Sequence, residues 1–570
     1  MSNSLASSAI DYTKLKTKLS PQIQEIISKK KIAGLSLALV DGDRIVWSEG
    51  FGVTAPNSEA KTTANTPFRV GSITKLFTSL STLQLEEKGL IDIDQPLSAY
   101  LERFLMKSRF SDDDPITIRN VLTHHSGIPT DLYKGQWNKN RFSYLVEQLR
   151  NEYVSYPPEF VLSYSNIGYS LLGAMIEQVT DNSYEKAINH NIIHPLNMHN
   201  TGFHPSSLFF IPSKAFDQEK KIQRTLSMRD IPAMGLYSSA NDLAKFIRLF
   251  TDRENAIHQA IVSDATISEM FEHQNKDVKL DFDDKIGLTW MLDQCGIVDA
   301  GKIAEHGGTT MYFSSQMMIA REYDMGVVVL ANTQGSRPAV DKIAEFILKA
   351  ALEIKHVEME EQPPLIAENH PEDAVPNPSN VGGDYVTDLG LVSLDTIEQE
   401  LCACSRKKVI DLVPLPDGWY NIQHENQTQE SNKIKSKVSG LIVGNHQIII
   451  VQNKDGRTHR FGSLMPEEGI PNEWKTRLGH YELVNPDEGF PIDLISLSEK
   501  DNRMYLSYRM QRLSNQLIEL PIAPISPYAA VTVGLGRTRG ETIQIERYDP
   551  EVDEEHMLFS GLVARKIDDI

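Results

Sequence analysis

Apolar residues recur at helical spacing at Ile73, Leu76, Phe77, Leu80 and Leu83, and Gly89 follows where a left-handed C-cap would sit, so residues 72–88 are predicted to form a helix. The same pattern predicts helices over 21–31, with Pro21 at its start and Ile23, Ile26 and Ile27 on one face, and over 141–153, 168–180, 241–251, 264–273 and 339–354. Shorter helices are predicted to begin at Asp92 and Pro115. Strand-like runs at 34–40 and 44–49 flank Asp41-Gly42-Asp43 and read as a hairpin. Three more follow at 302–306, 313–320 and 325–332, separated by short turns. Strands at both ends with helices between them imply an α+β domain over 1–356: one antiparallel sheet, closed by its N- and C-terminal parts and backed by helices.

The pattern changes after that. Residues 357–382 are acidic and proline-bearing and read as a linker. Short strands with turns then recur at 407–414, 446–453, 457–462, 493–497, 503–509, 541–547 and 556–565. An all-β barrel domain over 383–570 is the economical reading, because closure removes exposed edges. Gly383-Asp384-Tyr385 and Gly479-His480-Tyr481 look like two similar openings, which leaves one large barrel or two small ones.

Composition narrows the partners. With 40% hydrophobic and 8% aromatic residues, the 570-residue chain is of globular type. Its net charge of −20 disfavours nonspecific binding to nucleic acid or anionic membrane, so no nucleic-acid partner is expected. Cys295, Cys402 and Cys404 are too few and irregular for a disulfide framework, and Cys402-x-Cys404 fits alternation in a strand. The N-terminus lacks the apolar core of a signal peptide, and no run approaches the ~18 apolar residues of a spanning helix. A cytoplasmic location is expected, with no cofactor.

Candidate chemistry begins at Ser72, which the helix pattern puts at an N-terminus with Lys75 one turn later on the same face. Free backbone N–H groups and a desolvated amine would both help a serine attack a carbonyl. Ser-x-x-Lys alone is weak: it starts at Ser28, Ser58, Ser72, Ser183 and Ser405. Only Ser72 follows a turn-rich approach, Asn65-Thr66-Pro67, and opens a strongly apolar helix. A plain helix cap is the competing reading for one such serine. Tyr164 and Asn166 lie on a loop at a helix mouth, after prolines at 157 and 158 that forbid helix, and Asn166 is read as the cap. His124-His125 invites a metal, but no third ligand stands nearby at ligand spacing, so a structural loop near the site is expected and no metal. Finally, Glu305-His306-Gly307-Gly308-Thr309 ends a strand with two glycines that leave backbone open to a ligand.

Taken in order, Ser72-Ile73-Thr74-Lys75, Tyr164-Ser165-Asn166 and His306-Gly307-Gly308 resemble the motif triplet of serine β-lactamases and penicillin-binding proteins. The Tyr-x-Asn form is similar to class C β-lactamases, D-aminopeptidases and family VIII esterases, while His-Gly-Gly departs from the commoner Lys-Thr-Gly. The resemblance implies a β-lactamase/transpeptidase-like fold with, more loosely, a lipocalin-like C-terminal barrel. It implies Ser72 as nucleophile, with Lys75 and Tyr164 sharing its proton and an ammonium at Lys75 holding Tyr164 as tyrosinate. Asn166 would orient the substrate or Lys75. The backbone N–H groups of Ser72 and Thr309 would bind the oxyanion, and His306 would be a weak, pH-dependent cation. A peptidase or amidase acting on small or D-amino-acid-containing peptides is the leading expectation. A carboxylesterase with promiscuous β-lactam hydrolysis is the alternative, and a non-catalytic scaffold or cell-wall-binding protein the alternative of another class. The expected partner is a small-molecule or short-peptide substrate, with homo-oligomerisation left open.

Overall fold

Residues Gly34–Asp41 (β1) read Gly-Leu-Ser-Leu-Ala-Leu-Val-Asp, with every position buried. A strand apolar on both faces must be covered on both, and that requirement organises the hydrolase-like half of the chain. Leu35, Leu37 and Leu39 face a cluster built with the helices Thr13–Lys29 (α1) and Arg337–Ile354, whereas Ala38 and Val40 face the cluster holding Leu76, Leu80, Phe246 and Ile247. Each fully buried Leu contributes roughly 1.5–3 kcal/mol of burial free energy.

In this computed structural model the described residues are 10–355, except 56–59, 112–113, 296 and 298–301, and 381–567, except 388–389, 398–399, 406–407, 416, 424–435, 468, 487–491, 512–516 and 548–553. The sheet is antiparallel and seven-stranded. After β1 come Arg44–Gly52 (β2), Lys285–Ile286 (β3), Met291–Leu292 (β4), Ile303–Thr309 (β5), Ser314–Ala320 (β6) and Met325–Ala331 (β7), in the spatial order β2-β1-β7-β6-β5-β4-β3. N- and C-terminal strands meet at its centre, where Leu37 lies opposite Val329. The helices that matter for the site are Thr74–Glu87 (α2), Asn166–Thr180 (α3) and Ala240–Thr251 (α4), and Arg337–Ile354 (α5) closes the far face.

Three helix expectations are corrected. The first helix starts at Thr13 and carries Pro21 inside it, because Leu15, Leu19, Ile23 and Ile27 form one buried stripe whose packing outweighs the hydrogen bond that proline cannot make. The segment from Asp92 supplies only the 3₁₀ turn Leu97–Ala99. Residues 141–153 break into the turns Phe142–Tyr144 and Leu149–Asn151 around a four-residue helix.

The C-terminal region forms two closed eight-stranded barrels, which decides between the two architectures left open by sequence. One begins at Gly383–Thr387 and ends at Thr458–Leu464; the other begins at Gly479–Leu483 and ends at Leu562–Lys566. The run 556–565 is two strands rather than one, turned at Ser560 and Gly561, both with φ above +50°. The acidic linker falls largely within 356–380, outside the described residues. Cys402 and Cys404 lie on the strand Glu400–Ser405.

Both barrels dock on the first domain. Trp419, Leu441 and Ile448 of the first pack with Tyr156, Val161, Leu280 and Phe282, and His459 Nδ1 lies 2.7 Å from Asp284 Oδ1. The second barrel shares one apolar core with the hydrolase-like domain, joined where the hydroxyls of Tyr133 and Tyr508 meet at 3.1 Å. Asp131, Glu152 and Glu541 line a cavity at that joint. Enclosure and the Asp131 charge push the Glu541 carboxyl up to about 8, although it accepts the Thr130 N–H at 3.2 Å. A carboxyl whose folded-state pKa is raised binds its proton more tightly when folded. Its contribution is therefore present at low pH and is lost as pH rises through about 8. Glu541→Gln, which keeps the neutral form, should make the thermal midpoint fall less between pH 6 and pH 9 than in the native chain, by about 2 °C or more in differential scanning fluorimetry. Equal slopes would mean the joint tolerates the charge.

Candidate active site

Ser72 sits in a 3₁₀ turn, Gly71–Ile73, that runs directly into α2. Gly71 has φ +53°, and a Cβ there would stand 2.8 Å from the backbone nitrogen of Thr309. The turn can therefore press against the end of β5 only because residue 71 is glycine. One turn into the helix, Lys75 is wholly buried. Its Nζ lies 2.7 Å from Asn166 Oδ1, 3.0 Å from the Ala233 carbonyl and 3.3 Å from Ser72 Oγ.

Asn166 is not the cap it was expected to be. Ser165 caps α3, its Oγ accepting the Gly168 N–H at 3.0 Å. That leaves the Asn166 amide, in the first turn, free to face Lys75, and its Nδ2 donates to Asp131 Oδ1 at 2.9 Å, which fixes which end points where. Tyr164, two residues before Asn166, shares a hydrogen bond with Ser72 and lies with its ring centre 4.7 Å from Lys75 Nζ. His124 holds this loop from beneath: its ring is 4.1 Å from that of Tyr164, and its Nδ1 accepts the Ser165 N–H at 3.1 Å. His125 instead pairs with the buried Asp281 at 2.7 Å. The two histidines thus hold the loop rather than share a ligand.

The shifts at Lys75 and Tyr164 run in the direction opposite to an ammonium–tyrosinate pair. Burial, with the Arg537 charge second, drives the Lys75 amine well below the ordinary lysine range. Burial pushes the Tyr164 phenol up to about 12, against a lowering from Ser72. Both shifts favour the uncharged form, amine at Lys75 and phenol at Tyr164. Two of the Lys75 contacts are to carbonyl oxygens that accept its N–H groups, and the lone pair is left for Ser72.

His306 also departs from expectation. Burial above all lowers its pKa to about 3, so it is neutral at physiological pH rather than a titrating cation. Its Nδ1 donates to the Gly307 carbonyl at 2.8 Å, which leaves the buried Nε2 as an acceptor, and that nitrogen has no hydrogen-bond partner among the described residues. Gly308 lies under the turn: a Cβ there would come 2.0 Å from the Val70 carbonyl and 3.0 Å from the Ser72 nitrogen. The backbone nitrogens of Ser72 and Thr309 therefore border one notch. Gly307 faces away, against the Arg337 guanidinium, which is tied to Asp341 and Gln316. Of the sequence-predicted residues, then, Ser72, Lys75, Tyr164, Asn166, His306, Gly308 and Thr309 converge, and Gly307 backs onto α5.

Sequence reading missed the contribution of the second barrel. Between the strands Ala529–Thr532 and Thr542–Arg547, the loop Gly534-Leu535-Gly536-Arg537-Thr538-Arg539-Gly540 reaches the site. The Arg537 guanidinium carbon lies 5.0 Å from the Tyr164 ring centre. Three glycines and two arginines in seven residues of an acidic chain were the available signal.

The Beta-lactamase family model matches residues 19–352. Protein flp of Staphylococcus aureus (strain NCTC 8325 / PS 47) is 25% identical over 335 residues, 57% of this chain and 64% of its own length, so the chain spans less than two thirds of that relative. Among solved structures, the octameric penicillin-binding protein homologue from Pyrococcus abyssi is 22% identical, with a TM-score of 0.51 over 86% of this chain and 97% of its own. SurE, solved with D-Leu, is 20% identical, with a TM-score of 0.55 over 78% and 99%. At such identities the structures establish a shared fold. With the family model covering more than half of its length, the chain belongs to the Beta-lactamase family of serine hydrolases.

Proposed function

We propose that the protein forms an acyl-enzyme on Ser72 and hydrolyses small amides or peptides, those containing D-amino acids among them. The observation that carries this is the buried Lys75 amine, held by Asn166 and Ala233 with its remaining contact on Ser72 Oγ. Lys75 takes the Ser72 proton as Oγ bonds to the carbonyl carbon. The oxyanion settles between the Ser72 and Thr309 N–H groups, where each donor contributes roughly 2.7–4 kcal/mol. Tyr164, protonated and beside Ser72, hands its proton to the departing nitrogen and regains one from Lys75. The C–N bond breaks, and water later releases the acyl group by the same route in reverse. The likeness to SurE solved with D-Leu supports the D-amino-acid part of the reading. Esters need less help in expelling their leaving group, so the same residues would cleave them too.

The test is fluorophosphonate labelling of the native chain and Ser72→Ala, followed by turnover of D- and L-aminoacyl p-nitroanilides and short p-nitrophenyl esters. The expected result is a Ser72-dependent adduct and turnover of the D-aminoacyl anilides. Ester turnover alone would make the protein a carboxylesterase. An adduct that persists in folded Ser72→Ala, or none in the native chain, would favour a non-catalytic role.

A further inference from the structure

We propose that Arg537, carried into the site by the second barrel, binds a carboxylate on the substrate, so that the preferred acyl compounds are anionic close to the scissile carbonyl. This rests on the hydrolase reading above and adds to it a substrate class and a specificity-determining residue.

The loop is fastened on both sides of Arg537. Its carbonyls at Gly534 and Gly536 accept from Tyr156 Oη and Ser163 Oγ at 3.0 and 3.2 Å. The Thr538 N–H donates to Thr130 Oγ1 at 3.0 Å, and Arg109 donates to the Gly540 carbonyl at 2.8 Å. Gly536 and Gly540 have φ of +96° and +68°, and a Cβ on either would strike Arg460 or Tyr156. So much anchoring fixes the Arg537 backbone beside Tyr164, while its side chain stays exposed and forms no hydrogen bond or ion pair among the described residues.

The charged neighbours are otherwise engaged. Arg337 is paired with Asp341, and Asp131 accepts from Asn166 and Gln136. Glu541 accepts from Thr130. His306 is neutral and offers an acceptor, not a cation. Lys75 is wholly buried and already holds three oxygens. Arg539, in the same loop, turns to the Thr387 carbonyl, so Arg537 is the permanent charge set beside Tyr164 without an ion pair among the described residues, and a guanidinium fork matches a carboxylate better than any other common group. Packing against Tyr164 alone is the competing role.

Three 4-nitrophenyl esters of similar acyl length separate these roles: the hemiglutarate, the valerate and the 4-(trimethylammonio)butyrate. The native chain should favour the hemiglutarate over the valerate in kcat/KM. Arg537→Gln should lower that ratio about tenfold or more, mainly through KM, the size of effect expected for a lost charge-assisted contact. Arg537→Lys should restore part of it, and Arg537→Glu should shift preference to the cationic ester. A native ratio near one, a ratio unchanged in Arg537→Gln, or a parallel fall for all three esters would overturn the proposal. Fluorophosphonate labelling run alongside keeps the readings apart: a Ser72 adduct without anionic preference defeats this inference alone, whereas no adduct defeats both.

Discussion

Lys75→Ala should lower kcat by about 10³-fold on every substrate while the protein remains folded by circular dichroism, because a positioned general base contributes roughly 10²–10⁴. The pH profile carries the finer test. A base works only when unprotonated, so activity rises with pH through its pKa. Burial depresses that pKa, which places the rising limb of kcat/KM well below the ~10.4 of an ordinary lysine. Tyr164, raised to about 12, stays protonated across the plateau and can donate throughout it. The residual activity of Lys75→Ala should lose that limb. Were Tyr164 instead a tyrosinate, activity would climb only towards high pH and Lys75→Ala would keep the limb. Asp131 fixes the Asn166 amide that faces Lys75, so its effect would be one of positioning.

Gly308→Ala should be nearly as damaging, by a different route. The added methyl would lie 2.0 Å from the Val70 carbonyl and 2.4 Å from Ser315 Oγ, which itself donates to that carbonyl at 2.7 Å. Backbone cannot yield there without moving the turn that carries Ser72. Loss of a properly placed oxyanion donor costs roughly 10²–10³ in kcat, and overpacking costs about 1–3 kcal/mol of stability. Gly307→Ala is the control: its methyl meets only the far end of the Arg337 side chain, which can swing aside. Measured by kcat and chemical denaturation, the 308 variant should fall far below the 307 variant. Equal effects would mean the notch between Ser72 and Thr309 is not where the oxyanion sits.

The sequence made the sheet and the main helices of the first domain legible because their signals are local. Leu76, Phe77 and Leu80 repeat at helical spacing, and the strand 325–332 is a nearly continuous apolar run, as a strand covered on both faces must be. What failed was set by distant partners. Pro21 looked like a helix start because nothing local shows that Leu15 and Leu19 will share a cluster with Leu35 and Ile343. Asn166 looked like a cap because Ser, Asn and Asp fill that role equally well, and only the fold shows Lys75 waiting 2.7 Å away. The burial of Lys75 and His306, and the shifts it causes, escaped notice for the same reason: type and spacing carry no information about it. Of the strands in the barrels, those with exposed faces, such as Leu517–Ser526, escaped notice because their alternation is weak.

The loop at 534–540 also has a consequence in time. Translation delivers the first domain, with Ser72, Lys75 and Tyr164, long before the strands that flank this loop. N-terminal units generally fold as they emerge, so the nascent site stands open. Arg537 comes to lie beside Tyr164 only when the strands around its loop have been made and the second barrel, which includes Leu562–Lys566, has closed. The residues that act at the site are thus made well before the loop that lies beside them.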